Sequence, residues 1–157
     1  YSSDLNRAKN TAEILNTKLN LPLERTKNIR EIGFGKWEGL KRNEVETKYP
    51  AEYTHWIRKG VILEKIPGAE KMDSLIQRLT QFISDVRLRH DDDKSVVVVS
   101  HGGTIRILAK MLLGISVEEP ISMSTNNAGI SIIESQLTLY NNRPTIHHWN
   151  QIHHLLT

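Results

Sequence analysis

The run Ser95-Val-Val-Val-Val-Ser100 followed at once by His101-Gly102-Gly103-Thr104 constrains the fold of this chain more than any other stretch. Four consecutive β-branched residues are the composition of a strand covered on both faces, which is the usual state of a strand in a parallel sheet. The two glycines permit a tight turn, and the apolar positions after Thr104 predict a helix over 104–113 with Gly114 as its C-cap. Strand, glycine turn and helix make half of a βαβ unit, which places His101 at the carboxyl end of a strand and beside a helix N-terminus. Open α/β sheets bind their ligands at that place. Unpaired N–H groups and the helix dipole favour an anion there, and an imidazole adds a donor or a full charge.

The rest of the pattern agrees with an α/β chain. Ser3 or Asp4 can cap a helix over 4–19, whose apolar positions are Leu5, Ala8, Ala12, Leu15 and Leu19. Residues 29–40 hold three glycines and no sustained period, so a functional loop is predicted. A polar helix is expected over 42–59. Met72, Leu75, Ile76, Leu79, Phe82, Ile83 and Val86 then form a regular amphipathic stripe that predicts a helix over 71–89. Strands are predicted at 129–135 and 136–141, with 145–149 as an edge strand. No linker, repeat or low-complexity tract interrupts the 157 residues, and a single domain over 1–157 is the expectation.

Charge and composition remove other classes. The chain has 21 Lys+Arg and 18 Asp+Glu, a net charge of +3 with neutral histidines. The basic residues are interspersed with acids, so nucleic acid is not an expected partner, and an anionic small molecule fits the basic first third better. No apolar run approaches the roughly 18 residues of a bilayer-spanning helix, so a membrane is not an expected partner either. Zero cysteines exclude disulfides, thiolate chemistry and cysteine-bound zinc, which fits a reducing compartment. A soluble, cytoplasmic protein is expected. His147 and His148 are adjacent in a predicted strand and point to opposite faces, so with His153 and His154 they do not suggest a metal site. Trp37, Trp56 and Trp149 are isolated from any basic stripe and read as packing groups.

Two further residues carry candidate chemistry. Arg7, early in the first helix, can hold a phosphate or carboxylate through its planar fork. Glu31 sits in the glycine-bearing loop, where apolar or anionic neighbours could make a carboxyl group a proton donor. Taken singly, each is read more simply as a solvated surface residue, Arg7 pairing with Asp4 or Glu24. Their order along the chain says more.

The segments YSSDLNRAKNTAEI, IREIGFGKWEGL, PGAEKMDSLIQR and VVVVSHGGTIRIL together resemble the histidine phosphatase superfamily, the phosphoglycerate mutase-like proteins. Ser3, Asp4, Leu5, Arg7, Ala8, Thr11 and Ala12 match one motif, and Arg30, Glu31, Phe34, Gly35, Trp37, Glu38 and Gly39 match a second, with Ile29 in place of leucine. Ser100 to Gly103 match the S-H-G-G motif, and Asn150, His154 and Leu155 the terminal N-x-x-x-H-L. The resemblance implies a three-layer α/β/α fold with a mostly parallel sheet. It also implies that Arg7 binds the transferring phosphoryl group with His101 and the Gly102 amide, and that Glu31 protonates the leaving oxygen. No cofactor or metal is implied. The expected partner is a small phosphorylated metabolite, and a homodimer is left open.

The chain departs from that family in one decisive respect. The nucleophilic histidine belongs to an R-H-G motif on a first strand, and no R-H-G occurs here; the only histidine before residue 90 is His55. Since the chain also starts at Tyr1, the expectation is a truncated member that lacks the first strand and helix, inactive by itself, with an exposed sheet edge. A smaller departure is Pro67-Gly68-Ala69-Glu70, where the family commonly shows P-G-G-E-S. The 35 residues from 32 to 66 resemble the compact phosphatase branch, and the wording of the second and S-H-G-G motifs is most similar to the alpha-ribazole and broad-specificity phosphatases. The implied activity is phosphomonoester hydrolysis through phosphohistidine in the full-length parent. The alternatives are mutase-type phosphoryl transfer and a non-catalytic phosphate-binding pseudoenzyme.

Overall fold

The computed structural model describes residues 1–59, 63–91, 93–119, 121–135 and 143–156. Contacts divide them into two units, Tyr1–Glu31 with Phe82–Thr157, and Ile32–Gln81. The helix α4 (Met72–Arg89) runs from the second into the first.

In the first unit, β1 (Ser2–Ser3) leads into α1 (Asn6–Leu19), and the chain returns through β2 (Arg25–Thr26). β1 pairs parallel with β2, Ser2 opposite Arg25 and Ser3 opposite Thr26, and Ser2 also bridges Val99 in parallel. Ser2 and Ser3 are fully buried, and the small side chains suit a strand flanked on both sides. The sequence reading of 95–100 as a two-face-covered strand is corrected here. Only Val99 bridges a neighbour, and Val97 stays 47% exposed, because among the described residues the valine run pairs on one side only, with Tyr1 to Ser3.

After Ser100 the chain turns into α5 (Gly102–Leu112), with His101 as N-cap residue in an extended conformation. The helix begins two residues before the predicted Thr104, since both glycines join its first turn. It ends as expected, with Gly114 at φ +68° just beyond the last turn. β3 (Ile130–Glu134) and β4 (Thr145–Gln151) form an antiparallel pair with irregular register near Ile132. The strand predicted at 136–141 lies outside the described residues. β4 reaches two residues past the predicted edge strand.

α1 buries Ala8 and Ala12 but leaves Leu15 and Leu19 about half exposed, so only the middle of its predicted stripe is covered among the described residues. Its expected cap is also different. Leu5 is the N-cap residue without a side-chain cap, and Asp4 instead takes the guanidinium of Arg30 in a two-pronged ion pair, both bonds 2.6 Å.

In the second unit, the helix predicted over 42–59 is broken into α2 (Arg42–Lys48) and α3 (Pro50–Lys59). Pro50 is the cause: its ring pushes Tyr49 out of the helical region, to φ −134° and ψ 57°, while Pro50 itself suits a helix start. Leu75 and Leu79 of α4 are fully buried, as are Leu63 and Ile66 nearly so, which matches the predicted stripe. Trp37 and Trp56 meet edge to face at 5.9 Å, with Tyr53 against Trp56, confirming a packing role for both indoles. Two backbone bonds close this unit at its base: Lys36 N–H to Pro67 O at 3.0 Å and Glu70 N–H to Gly33 O at 2.8 Å. Gly35, at φ +51°, lies so close to the 67–69 backbone that an added Cβ would stand 2.3 Å from the Gly68 carbonyl carbon.

Candidate active site

The first unit draws three of its segments together around the amino end of α5. Thr104, fully buried, donates its hydroxyl to the Arg30 carbonyl at 2.6 Å, and Ser100 donates to the Ile29 carbonyl at 2.7 Å. These two bonds bind the residues on either side of His101 to the segment that ends in Glu31. The Asp4–Arg30 pair then ties the same segment to the turn between β1 and α1. Arginine's planar fork gives this link orientation as well as charge.

His101 is 6% exposed and held at both ring nitrogens. Arg7 Nε donates to Nδ1 at 3.0 Å, so Nδ1 is an acceptor and the ring proton lies on Nε2, 2.9 Å from Ser3 Oγ. Ser3 therefore fixes the imidazole from behind while Arg7 meets it from α1. Ser3 Oγ also accepts the Leu5 N–H at 3.3 Å, so the hydroxyl is oriented by the start of the helix that carries Arg7.

Glu31 reaches the same helix end. Its carboxylate accepts the N–H groups of Gly103 at 3.2 Å and Thr104 at 3.0 Å, with the Thr104 hydroxyl 3.4 Å away. Two of the amides that the sequence offers to an anion are therefore occupied by the protein's own carboxylate, the ordinary way to satisfy a helix N-terminus. Among the described residues no protein acceptor meets the Gly102 amide. Arg7, Glu31, His101 and Gly102 are thus neighbours at one place, although they are dispersed over 96 positions of sequence, from 7 to 102.

Four contributing residues were not read from sequence in the roles they take. Ser3 was read as a helix cap and Thr104 only as the start of a helix; each is a fully buried hydroxyl one to four residues from a candidate site residue, and that proximity was the available signal. Asp4 was read as a helix cap and a motif match and Arg30 as a motif match, and nothing in their spacing reveals that they pair. Arg30 holds the Asp4 carboxyl below the ordinary aspartate range, chiefly through its hydrogen bonds. Elsewhere, Glu134 and His147 are 2.9 Å apart on the exposed hairpin, and among the described residues no three His, Asp or Glu side chains gather as a metal set. No helix among them is long and apolar enough to cross a membrane.

An α/β chain with arginine, histidine and glutamate at the amino end of a helix defines the class to which comparison assigns it. Residues 1–152 match the model of the histidine phosphatase superfamily (branch 1), and the chain belongs to that family. It is 34% identical over 136 residues to Phosphoserine phosphatase 1 of Hydrogenobacter thermophilus, covering 87% of this chain and 64% of that protein. The chain therefore spans less than two thirds of that relative's length. Among solved structures it is similar to a mycobacterial glucosyl-3-phosphoglycerate phosphatase in complex with inorganic phosphate, at TM-score 0.79 and 25% identity, covering 96% of this chain and 75% of that one. The alpha-ribazole phosphatase of Shigella flexneri shares the fold at TM-score 0.73 and 23% identity, over 95% and 71% of the two chains.

Proposed function

We propose that these residues form the phosphoryl-binding part of a phosphomonoesterase site for a small phosphorylated metabolite. Arg7 holds the phosphoryl oxygens with its terminal N–H groups, the Gly102 amide adds a donor, His101 reaches the same oxygens by exchanging the Arg7 or Ser3 contact of one ring nitrogen for them, and Glu31 protonates the leaving oxygen. The observation that carries this reading is the 3.0 Å contact between Arg7 and His101 beside the helix end that Glu31 occupies. Preorganised donors of this kind act on the charge of a transferring phosphoryl group mainly by electrostatics. The Gly103 and Thr104 amides hold the Glu31 carboxyl in one orientation at the helix end, as a group that delivers a proton to a leaving oxygen must be held. The names of the phosphoserine and glucosyl-3-phosphoglycerate phosphatases support a phosphomonoester substrate, and the short stretch from 32 to 66 favours hydrolysis over mutase transfer.

The family's phosphohistidine chemistry uses a histidine in an Arg-His-Gly triplet, and these 157 residues contain none. The chain by itself is accordingly expected to bind phosphate without turnover. Titration of inorganic phosphate followed by 31P NMR tests the site: Arg7→Ala and His101→Ala should each abolish saturable binding, and Glu31→Gln should retain it. Wild-type binding by both alanine variants refutes the assignment. Hydrolysis of p-nitrophenyl phosphate by this chain, lost in His101→Ala, refutes the expected inactivity and makes His101 the nucleophile.

A further inference from the structure

Asn150, from the terminal motif, has no part in the site as described so far, yet its side chain acts at some distance along the sequence. Its Oδ1 accepts the Asn126 N–H at 2.7 Å, and its Nδ2 donates to Asn126 Oδ1 at 2.7 Å and to Ser124 Oγ at 3.3 Å. The neighbouring Trp149 Nε1–H donates to the Ser124 carbonyl at 2.8 Å. Asn150 adopts a left-handed φ of +51°, a conformation that asparagine tolerates better than most residues, and its own N–H donates to Ser131 Oγ at 3.0 Å. The approach is close: a Cβ on Gly129 would stand 2.3 Å from Asn150 Oδ1. β4 thus grips residues 124 and 126 and leaves the residue between them with its side chain uncommitted.

That residue is Thr125. A Cβ on Gly102 would lie 2.7 Å from Thr125 Oγ1, so this hydroxyl stands directly against the first residue of α5, next to His101. Among the described residues it has no protein hydrogen-bond partner. A hydroxyl held through both of its neighbours beside the Cα of a glycine whose amide also lacks a protein acceptor among the described residues is arranged to meet an oxygen supplied by a ligand. We propose that Thr125 is a further phosphoryl-contacting residue, its hydroxyl donating to an oxygen bound at the amino end of α5, with Asn150 as its positioning residue. This rests on the reading of Arg7 and His101 as phosphoryl ligands.

Inorganic phosphate, titrated into the 157-residue chain and followed by 31P NMR, tests both parts. Thr125→Val should weaken binding about tenfold, equivalent to ~1.4 kcal/mol, while Thr125→Ser, which keeps the hydroxyl, should bind within about twofold of the wild type. Asn150→Ala should weaken binding comparably and add nothing in the Thr125→Val background, the mark of two residues acting as one. Wild-type affinity in Thr125→Val, with binding lost in Arg7→Ala, overturns the proposal and spares the site. Wild-type affinity in Arg7→Ala overturns the underlying reading instead. Additive losses in the double variant overturn the role of Asn150. If Asn150→Ala fails to fold, the Val and Ser variants of Thr125 still decide the contact itself.

Discussion

Thr104→Val isolates one bond that holds the candidate site together. The side chain is fully buried, and valine replaces the hydroxyl by a methyl of similar size, so no cavity forms. What is lost is the 2.6 Å bond to the Arg30 carbonyl and the weaker 3.4 Å contact to Glu31. A carbonyl left without its partner in a buried place costs roughly 1–3 kcal/mol. For a chain of this length each kcal/mol lowers Tm by about 2–4 °C, so a central loss of ~2 kcal/mol lowers it by about 4–8 °C. Thr104→Ser makes the complementary change, keeping the hydroxyl and deleting one buried methyl, for about 0.8 kcal/mol. Urea unfolding should give midpoints in the order wild type, Ser, Val, with unchanged m-values. A valine variant as stable as the wild type, or a serine variant weaker than valine, would refute the claim that this hydroxyl fastens Glu31's segment to α5.

Two more perturbations reach other parts of the argument. The Asp4 carboxyl titrates below its ordinary value of 3.8 because Arg30 hydrogen-bonds its charged form, so the pair's stabilisation is complete above that value and disappears as pH falls through the depressed one. The Tm gap between wild type and Asp4→Asn should accordingly be constant from pH 5 to 7 and close in more acidic solution; a gap that persists to pH 2 would show that the carboxylate charge is not its source. Gly35→Ala combines a left-handed φ with backbone atoms 2.3–2.5 Å from the new methyl, none of them the end of a movable side chain. It should destabilise the 32–81 unit by roughly 2–5 kcal/mol, read as lost amide-exchange protection there, and near-native protection would mean that the 67–69 turn gives way easily.

Periodicity identified α4 almost to the residue, since seven apolar side chains on one stripe leave little alternative to a helix. Where a single residue type dominated the reading, the structure corrected it. Four valines implied a strand covered on both faces, but β-branched composition reports a conformational preference and cannot supply the covering layers; Val97 stays 47% exposed. The polar pattern of 42–59 hid the break at Pro50, although proline and the residue before it carry a local rule that overrides helical spacing. The glycines after His101 were read as a turn because glycine permits a tight reversal between strand and helix, whereas the Glu31 carboxylate accepts the Gly103 and Thr104 amides and supports a helix that starts at Gly102. Of the candidate site, the residue types were legible from motif order, and Arg7 does meet His101. Their supports were not: Ser3, Thr104, Asp4 with Arg30, and the Asn150-held Thr125 act through contacts between segments far apart in sequence, which no local pattern encodes.

The pair of backbone bonds from Gly33 and Lys36 to Glu70 and Pro67 has one more consequence. They fasten the two feet of a hoop, so the polypeptide between those feet can be lengthened with little thermodynamic penalty, about 0.6 kcal/mol for each doubling of a flexible loop. New turns or an extra helix grafted into the arch would leave Gly35 seated against the 67–69 backbone and α4 starting where it does. Size in this part of the chain is therefore a dimension along which related sequences can diverge while their feet stay planted.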